Sequence, residues 1–259
     1  MSKTRHYVDF MSDDKLLAAI ERLYRSYEKA FATKSLKKLN KNIIDPFKFQ
    51  FDTAFLYDGN PEKALQSEVF RQNDKSITNA IGMFQQQLLG SIDGFEESPS
   101  LPCDIRKMDD SIFAEVKNKH NTMNVRSAAG VYDELAGLAK SYPKAVCYLV
   151  EVIAKRSVDK VWSVTINQTV QQNTRIHLIS ADRFYALATG NEHALKDLCD
   201  ALPDAIRDFL EEEREKEGFV ESGTRIAAYQ ELCEQAGQYG IGVIEQIYRM
   251  AFSDYLKFK

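Results

Sequence analysis

Apolar residues recur at helical spacing in several parts of the chain. A helix start at residues 12–14 precedes the first stripe, which predicts an N-terminal helix and comprises Leu16, Leu17, Ile20, Leu23, Tyr24, Tyr27 and Phe31. Asn60 and Pro61 suit an N-cap and a first helical position, so helix is expected to resume near residue 61. A further stripe predicts a helix over residues 74–92 and comprises Ile77, Ile81, Phe84, Leu88 and Ile92.

The second half of the chain mixes predicted strands with predicted helices. Its most continuous apolar run, residues 145–154, is typical of a strand buried on both faces. Shorter strands are predicted over residues 161–166 and 175–179. Helices are predicted over residues 125–141, 181–189, 192–201, 203–216 and from about 224 to the end. The stretches 45–59 and 91–100 are expected to be an irregular connection and a loop.

Residues 111–119 alternate with a period of two, which predicts a strand. Its two faces carry, respectively, Ile112, Ala114 and Val116, and Phe113, Glu115, Lys117 and Lys119. Asp109 and Asp110 precede the strand and suit a two-residue turn, because aspartate tolerates the left-handed backbone that such turns need. That turn would place Asp104 opposite Glu115. The following helix and the strand 145–154 complete a right-handed parallel crossover.

Opposed side chains on one face of a sheet lie about 5 Å apart. Two carboxylates at that separation, Asp104 and Glu115, repel each other unless a cation or a proton lies between them. Lys117 follows on the same face and points into the same space. The three side chains therefore form a candidate site for a hard cation beside an amine.

Composition and charge limit the class of protein. The chain has 259 residues, of which 44% are hydrophobic, and this suits one large domain over residues 1–259. We expect a helical extension over 1–60, a core over 61–190 that carries the candidate cation site, and a helical region over 191–259. The net charge of −4 provides no global basic field, so any contact with nucleic acid depends on local patches. Four separated cysteines, the lack of an apolar signal core and the lack of a long apolar run favour a cytoplasmic protein without a membrane span.

An aspartate, a hairpin and then Glu-x-Lys resemble the PD-(D/E)XK nuclease motif, here Asp104, Glu115 and Lys117. Three longer strings resemble a family of type II restriction endonucleases that cut GGNCC-like sites: DKSITNAIGMFQQQLLGSIDGF (74–95), EVKNKHNTMN (115–124) and HLISADRFYALATG (177–190). The resemblance spans roughly residues 60–200. One departure is that Cys103 precedes the aspartate and Pro102 lies one place earlier, in a variable part of the motif.

The resemblance implies an α/β fold with a PD-(D/E)XK (restriction-endonuclease-like) core. That core is a mixed central sheet flanked by helices, with additional helices at both termini. The implied activity is Mg²⁺-dependent hydrolysis of double-stranded DNA at a short palindromic site, leaving 5′-phosphates. Asp104 and Glu115 would bind Mg²⁺ together with the carbonyl oxygen of Val116. Lys117 would orient or deprotonate the attacking water and stabilise developing negative charge.

Residues around the motif add candidates for DNA contact and for support of the site. Candidates for contacts with phosphates or base edges are Asn118, Lys119, His120, Asn121 and Thr122. In folds of this kind the helix before the first catalytic strand often packs beside the site, which makes candidates of Glu68, Asn79 and Gln86. Each of these three also fits an ordinary surface or helix-supporting residue. Asn124 fits the N-cap of the helix that follows.

Cutting both strands of a palindrome implies a homodimer, and restriction implies a cognate DNA methyltransferase as a functional, not a bound, partner. A C-terminal apolar stripe is a candidate interface and equally fits a core: Ile241, Ile244, Ile247, Tyr248, Ala251, Phe252 and Tyr255. Two other functions stay open. One is a repair or recombination nuclease of the same fold. The other is a non-catalytic DNA-binding or helical interaction protein, in which the hairpin carries only a surface Lys–Glu pair that contributes at most about 1 kcal/mol.

Overall fold

The computed structural model describes residues 6–32, 36–166, 168–216 and 227–251. The helices of these residues are α1 (Asp13–Phe31), α2 (Leu36–Leu39), α3 (Pro46–Leu56), α4 (Pro61–Gly90), α5 (Val125–Ser141), α6 (Ala181–Thr189), α7 (Ala194–Lys216), α8 (Ala227–Gln238) and α9 (Val243–Ala251). The strands are β1 (Phe95–Glu97), β2 (Ile105–Lys107), β3 (Ile112–Lys119), β4 (Val146–Ile153), β5 (Asp159–Ile166) and β6 (Thr169–Ser180). None of the described helices is long and apolar enough to cross a membrane.

The chain forms two compact units, one of residues 1–24 and 80–218 and the other of residues 25–79 and 219–259. The first unit contains the whole sheet, and the second contains helices only among its described residues. The expectation of one nuclease domain with the boundaries 60 and 190 stays a prediction.

The six strands of the first unit form one mixed sheet in the order β1-β2-β3-β4-β6-β5. Antiparallel pairs lie at its two edges, whereas β3, β4 and β6 run parallel in its centre. Helix α5 connects β3 to β4, as the predicted crossover requires. The expected α/β architecture, a mixed sheet flanked by helices with further helices at both ends of the chain, is confirmed. The loop expected over 91–100 is partly wrong, because Phe95 is fully buried and Phe95–Glu97 pairs with β2 as an edge strand.

The β2–β3 hairpin has the predicted register. Ile105 faces Ala114 and Arg106 faces Phe113, which is the alignment that opposes Asp104 to Glu115. Asp110 adopts the left-handed conformation with φ of 58°, and its N–H donates to the carbonyl of Lys107 at 2.9 Å. This hydrogen bond closes a turn over residues 107–110, whose central residues are Met108 and Asp109. The two-residue turn expected at Asp109 and Asp110 is therefore wrong by one position, and Asp110 supplies only the left-handed residue that ends the turn.

The two faces of the sheet pack into separate cores. Ala114 and Val116 of β3 face a cluster built with α1, the C-terminal half of α4, α6 and α7. Phe113 of the same strand is fully buried on the opposite face, in a core that it shares with Tyr132 and Leu135 of α5. Because helices cover both faces, a large aromatic residue on the face of Glu115 and Lys117 is ordinary core packing.

Several helix boundaries match the sequence signals. Asn60 accepts a hydrogen bond from the N–H of Lys63 at 3.1 Å, at the start of α4. Asn124 caps α5 by accepting from the N–H of Ser127 at 2.9 Å, so its capping role is confirmed. Gly190 ends α6 in the left-handed conformation with φ of 73°. The predicted helix over 125–141 matches α5 at both ends.

Three predictions of helix extent are wrong. Residues 46–56 form α3 and not an irregular connection, because Asp45 accepts hydrogen bonds from the N–H groups of Phe47 and Lys48 and Pro46 occupies the first helical position. The helices expected near 61 and over 74–92 are one continuous helix, α4. The helices expected on either side of Pro203 are also one, α7, whose apolar stripe packs into the core on both sides of the proline.

The second unit has its own apolar core, built from α2, α3, the N-terminal half of α4, α8 and α9. Ile247 of the C-terminal stripe is buried in this core and Ile244 packs against it, as the alternative of core packing expects. Residues 224–226, Phe252 and Tyr255, which the sequence also placed in C-terminal helix, lie outside the described residues. Whether part of this stripe forms an interface stays a prediction.

Candidate active site

Asp104, Glu115 and Lys117 meet where β2 begins beside β3. Asp104 immediately precedes β2, and its Oδ2 accepts a hydrogen bond from the N–H of Val116 at 2.7 Å. Glu115 and Lys117 lie two positions apart on the same face of β3, and the Lys117 amine lies 2.5 Å from Glu115 Oε1. The structure thus brings together the three side chains that the sequence selected.

The site is a low-dielectric environment for its charges. The Glu115 side chain is 14% exposed and that of Lys117 is 29% exposed. Burial raises the pKa of Asp104 to about 6, the Val116 N–H lowers it, and the neighbouring Glu115 carboxylate raises it again. Two carboxylates that disfavour each other's ionisation in this way are stabilised when a positive charge lies between them. Lys117 supplies part of it, because its charge favours the ionised form of Asp104.

The donor set fits a hard divalent cation. The Val116 N–H points toward Asp104. Because the N–H and C=O of one strand residue project to the same side of the strand, the Val116 carbonyl also faces Asp104. Two carboxylates, one carbonyl and retained waters suit Mg²⁺, which seldom takes all of its ligands from protein. The adjacent Cys103 thiol stays protonated, since burial raises its pKa to about 11. Among the described residues, no group of three or more His, Cys, Asp or Glu side chains could hold a metal by itself.

The five candidate DNA contacts do not lie on one surface. Strand alternation places Asn118 on the face opposite Lys117, whereas Lys119 is exposed at the end of β3 on the same face as Lys117. His120 is held to the end of β4, because its N–H donates to the carbonyl of Ile153 at 3.1 Å and its Nδ1 lies 3.2 Å from the same oxygen. Asn121 and Thr122 are exposed in the following turn, where Thr122 Oγ1 donates to the Lys119 carbonyl at 2.9 Å.

The three candidate supporting residues lie along α4. Gln86 belongs to the first unit and is half-buried, and its side chain forms no hydrogen bond with a residue that the structure describes. Glu68 and Asn79 belong to the second unit. Asn79 is exposed, whereas Glu68 is buried and accepts hydrogen bonds from Arg71 at 2.6 and 2.7 Å and from Gln72 at 2.9 Å. These contacts are those of a residue that supports its own helix.

One charged residue at this edge of the sheet was not selected from the sequence. Glu151 of β4 lies beside Lys117 in the parallel register, and it is only 8% exposed. Burial raises its pKa, while His120, Lys160 and Lys155 lower it. A glutamate inside the most continuous apolar run of the chain was the available signal, since a carboxylate rarely enters a buried strand without a partner.

Comparisons with known proteins agree on one family. A family model described as Eco47II restriction endonuclease matches residues 8–211. The type II restriction enzyme Sau96I of Staphylococcus aureus is 33% identical over 267 aligned residues, which cover 98% of this chain and 100% of the relative. The type II restriction enzyme Eco47II of Escherichia coli is 31% identical over 222 residues, which cover 82% of this chain and 92% of the relative. The similarity therefore extends beyond residues 60–200, to almost the whole chain.

Proposed function

The chain belongs to the Eco47II restriction endonuclease family, whose relatives are type II site-specific endonucleases, and from this premise we propose what it cuts and how. The resemblance read from residues 74–95, 115–124 and 177–190 is confirmed at the level of the family. The proposed reaction is Mg²⁺-dependent hydrolysis of phosphodiester bonds in double-stranded DNA, at a short palindromic GGNCC-like site, with 5′-phosphate products.

The observation that supports this chemistry is the meeting of two carboxylates and an amine at one strand end. Asp104, Glu115 and the Val116 carbonyl would hold Mg²⁺. When bound, the ion supplies charge neutralisation at the scissile phosphate and lowers the pKa of a coordinated water. The Val116 N–H orients the Asp104 carboxylate by binding Oδ2, which leaves Oδ1 for the ion.

Lys117 is proposed to act on the attacking water and on the charge that develops at phosphorus. Its amine lies against Glu115, so it is positioned by the same carboxylate that is proposed to hold the ion. An ammonium in a half-buried site stabilises negative charge more strongly than it would in water. A proton held or accepted at Nζ would help to generate the nucleophile.

DNA is proposed to lie along this end of the sheet. Lys119 and His120 would contact phosphates, and Asn118, Asn121 and Thr122 would contact phosphates or base edges. Roles for Glu68, Asn79 and Gln86 in supporting the site also stay proposals, and the contacts of Glu68 favour a structural role. We further propose that the enzyme acts as a homodimer in the cytoplasm, where a cognate DNA methyltransferase protects the host site.

The first test is digestion of unmethylated plasmid by the purified protein with Mg²⁺ or with EDTA, followed by sequencing of the fragment ends. Discrete Mg²⁺-dependent fragments that share a GGNCC-like site and carry 5′-phosphates are expected. Mg²⁺-dependent cutting without a common site would point to a repair or recombination nuclease. A folded protein that cuts in neither tube would make the hairpin ordinary scaffold and leave only a binding function.

A further inference from the structure

A cleft of about 430 Å³ opens beyond the ends of β3 and β4. Its lining includes His120, Glu151, Lys155, Arg156, Lys160 and Leu178. Glu151 is nearly buried, whereas the three lysine and arginine side chains are exposed. The cleft is therefore lined by charged groups from β4, from β5 and from the loop between them.

The cations of this cleft are available to a ligand. The side chains of Lys155, Arg156 and Lys160 form no hydrogen bond and no direct ion pair with a residue that the structure describes. With His120 neutral, three cations and one carboxylate give a local charge of 3 − 1 = +2, in a chain whose net charge is −4. A concave surface of this sign concentrates anions, because field lines converge in a cleft with low-dielectric walls.

The cleft lies next to the candidate active site. Lys117 of β3 and Glu151 of β4 are register partners in neighbouring parallel strands, so their backbones are about 4.8 Å apart. Lys160 of β5 is the register partner of Leu178 of β6. In the sheet order, β6 is the second strand from β3 and β5 is the third. His120 connects the two regions, because it follows β3 directly and is bound to the last residue of β4.

We propose that this cleft, through Lys155, Arg156 and Lys160, binds the sugar–phosphate backbone of the DNA strand that is cut, next to the scissile phosphate. The inference rests on the proposed function, which supplies the polyanion and the position of the scissile phosphate beside Lys117. Successive phosphates of one strand advance by about 3.4 Å along the helix axis, so a cleft one to three strands from Lys117 spans a few nucleotides. These contacts position the duplex and carry no sequence information.

The test is the salt dependence of DNA binding, measured by fluorescence anisotropy in EDTA so that no strand is cut. Affinity falls as salt concentration rises, and each phosphate that a lysine or arginine neutralises makes the slope of log affinity against log salt concentration steeper by about 0.9. Lys160→Gln is therefore expected to reduce the steepness of this slope by about 0.9, and the double variant Lys155→Gln with Arg156→Gln is expected to reduce it by about 1–2. Both variants should bind a GGNCC duplex and a scrambled duplex more weakly than wild type does, and the loss of affinity should be the same for the two duplexes.

Matched controls are Lys144→Gln and the pair Lys140→Gln with Lys144→Gln. Lys140 and Lys144 are exposed and lie just before β4, at the end of that strand opposite the cleft. These controls should keep the wild-type slope. Slopes of the cleft variants that match those of the controls, or losses confined to the GGNCC duplex, would overturn the inference.

The two proposals fail in different ways. If wild-type protein binds and cuts DNA and the cleft variants have the same salt slope as wild type, only the proposed role of the cleft is overturned. Wild-type protein that binds neither duplex at low salt, and that also leaves plasmid uncut with Mg²⁺, overturns the proposed function and this inference together. Circular dichroism of each variant separates lost contacts from lost folding.

Discussion

Lys117 is the residue whose chemistry depends most on its neighbours. An exposed lysine beside a glutamate contributes little, but this pair is half-buried and adjoins a second carboxylate, Asp104. Burial and the neighbouring Glu115 carboxylate raise the pKa of Asp104, so ionised Asp104 is stabilised by nearby positive charge. The resulting concentration of charge is costly in a buried place, which is typical of a functional site.

Lys117→Ala is expected to lower the single-turnover rate of plasmid cleavage by about 10²–10⁴-fold, because a positioned acid–base or charge-stabilising group contributes that much. Duplex affinity should stay within about threefold of wild type, since this amine already binds Glu115 in the free protein. Lys140→Ala, on the exposed surface of α5, provides the control and should cut at the wild-type rate. Cutting by Lys117→Ala at that same rate would remove Lys117 from the reaction.

Helix α5 controls the position of the site at the scale of elements. It carries the chain from the end of β3 to the start of β4, and its Tyr132 and Leu135 share a core with Phe113 of β3. Its first turn depends on Asn124, which satisfies the N–H of Ser127.

Asn124→Ala is expected to lower the free energy of unfolding by about 1 kcal/mol, the usual loss for an N-cap, while Asn124→Asp keeps the cap. Asn121→Ala, in the exposed turn before it, should leave stability unchanged and weaken DNA binding only. Urea denaturation of the three variants, together with duplex titrations, distinguishes these outcomes. Equal stability of Asn124→Ala and wild type would contradict the role of this cap.

Glu68 provides a prediction of pH dependence within α4. Burial raises its pKa, but hydrogen bonds from Arg71 and Gln72 lower it more, so the pKa lies below the ordinary value of 4.5. A lowered pKa in the folded state means that the ionised carboxylate stabilises folding above about pH 4.5. That stabilisation is lost as the pH falls through the lower folded-state value.

Glu68→Gln is therefore expected to lower stability at pH 7 by about 2 kcal/mol, the scale of charge-assisted hydrogen bonds. The difference between variant and wild type should shrink as the pH falls below 4.5. Thermal melts between pH 3 and pH 7 measure it, and Glu62→Gln, on the exposed first turn of α4, is the control. A difference that is constant over this range would mean that the carboxylate charge does not contribute.

At the scale of the whole molecule, the net charge of the chain and the local charge of the cleft have opposite signs. The chain is acidic overall, with a net charge of −4, yet the cleft beside Lys117 is locally positive. A duplex is therefore expected to approach one end of the sheet and to be repelled elsewhere. Under the proposed cutting of a palindrome by a homodimer, each subunit would present one such end to one strand.

A homodimer of about 59 kDa, twice the 29.6 kDa of one chain, is expected in analytical ultracentrifugation. Wild-type protein should convert supercoiled plasmid directly to the linear form. Dimers mixed from wild-type and Lys117→Ala subunits should accumulate nicked circles, because only one strand meets a complete site. Linear product from a purified mixed dimer, at the wild-type rate, would show that one subunit cuts both strands.

The sequence by itself determined those features that depend on neighbours along the chain. The alternation of residues 111–119, the aspartates of the turn and the Asn124 cap predict β3, the hairpin register and α5, because periodicity and capping are local effects. These local effects also brought Asp104 to Glu115 and Lys117, since a short hairpin sets which residues face each other. The aromatic segment 46–56 is helical for a local reason as well, because Asp45 caps its first turn.

Only the tertiary structure decided what depends on segments far apart in the chain. The continuity of α7 through Pro203 follows from an apolar stripe that packs on both sides of the proline. The position of Glu151 beside Lys117 follows from the register of two parallel strands, which the packing of α5 sets and no turn residue encodes. The cleft of Lys155, Arg156 and Lys160 exists for the same reason, because non-local pairing of β4, β5 and β6 brings their charges to the end of β3.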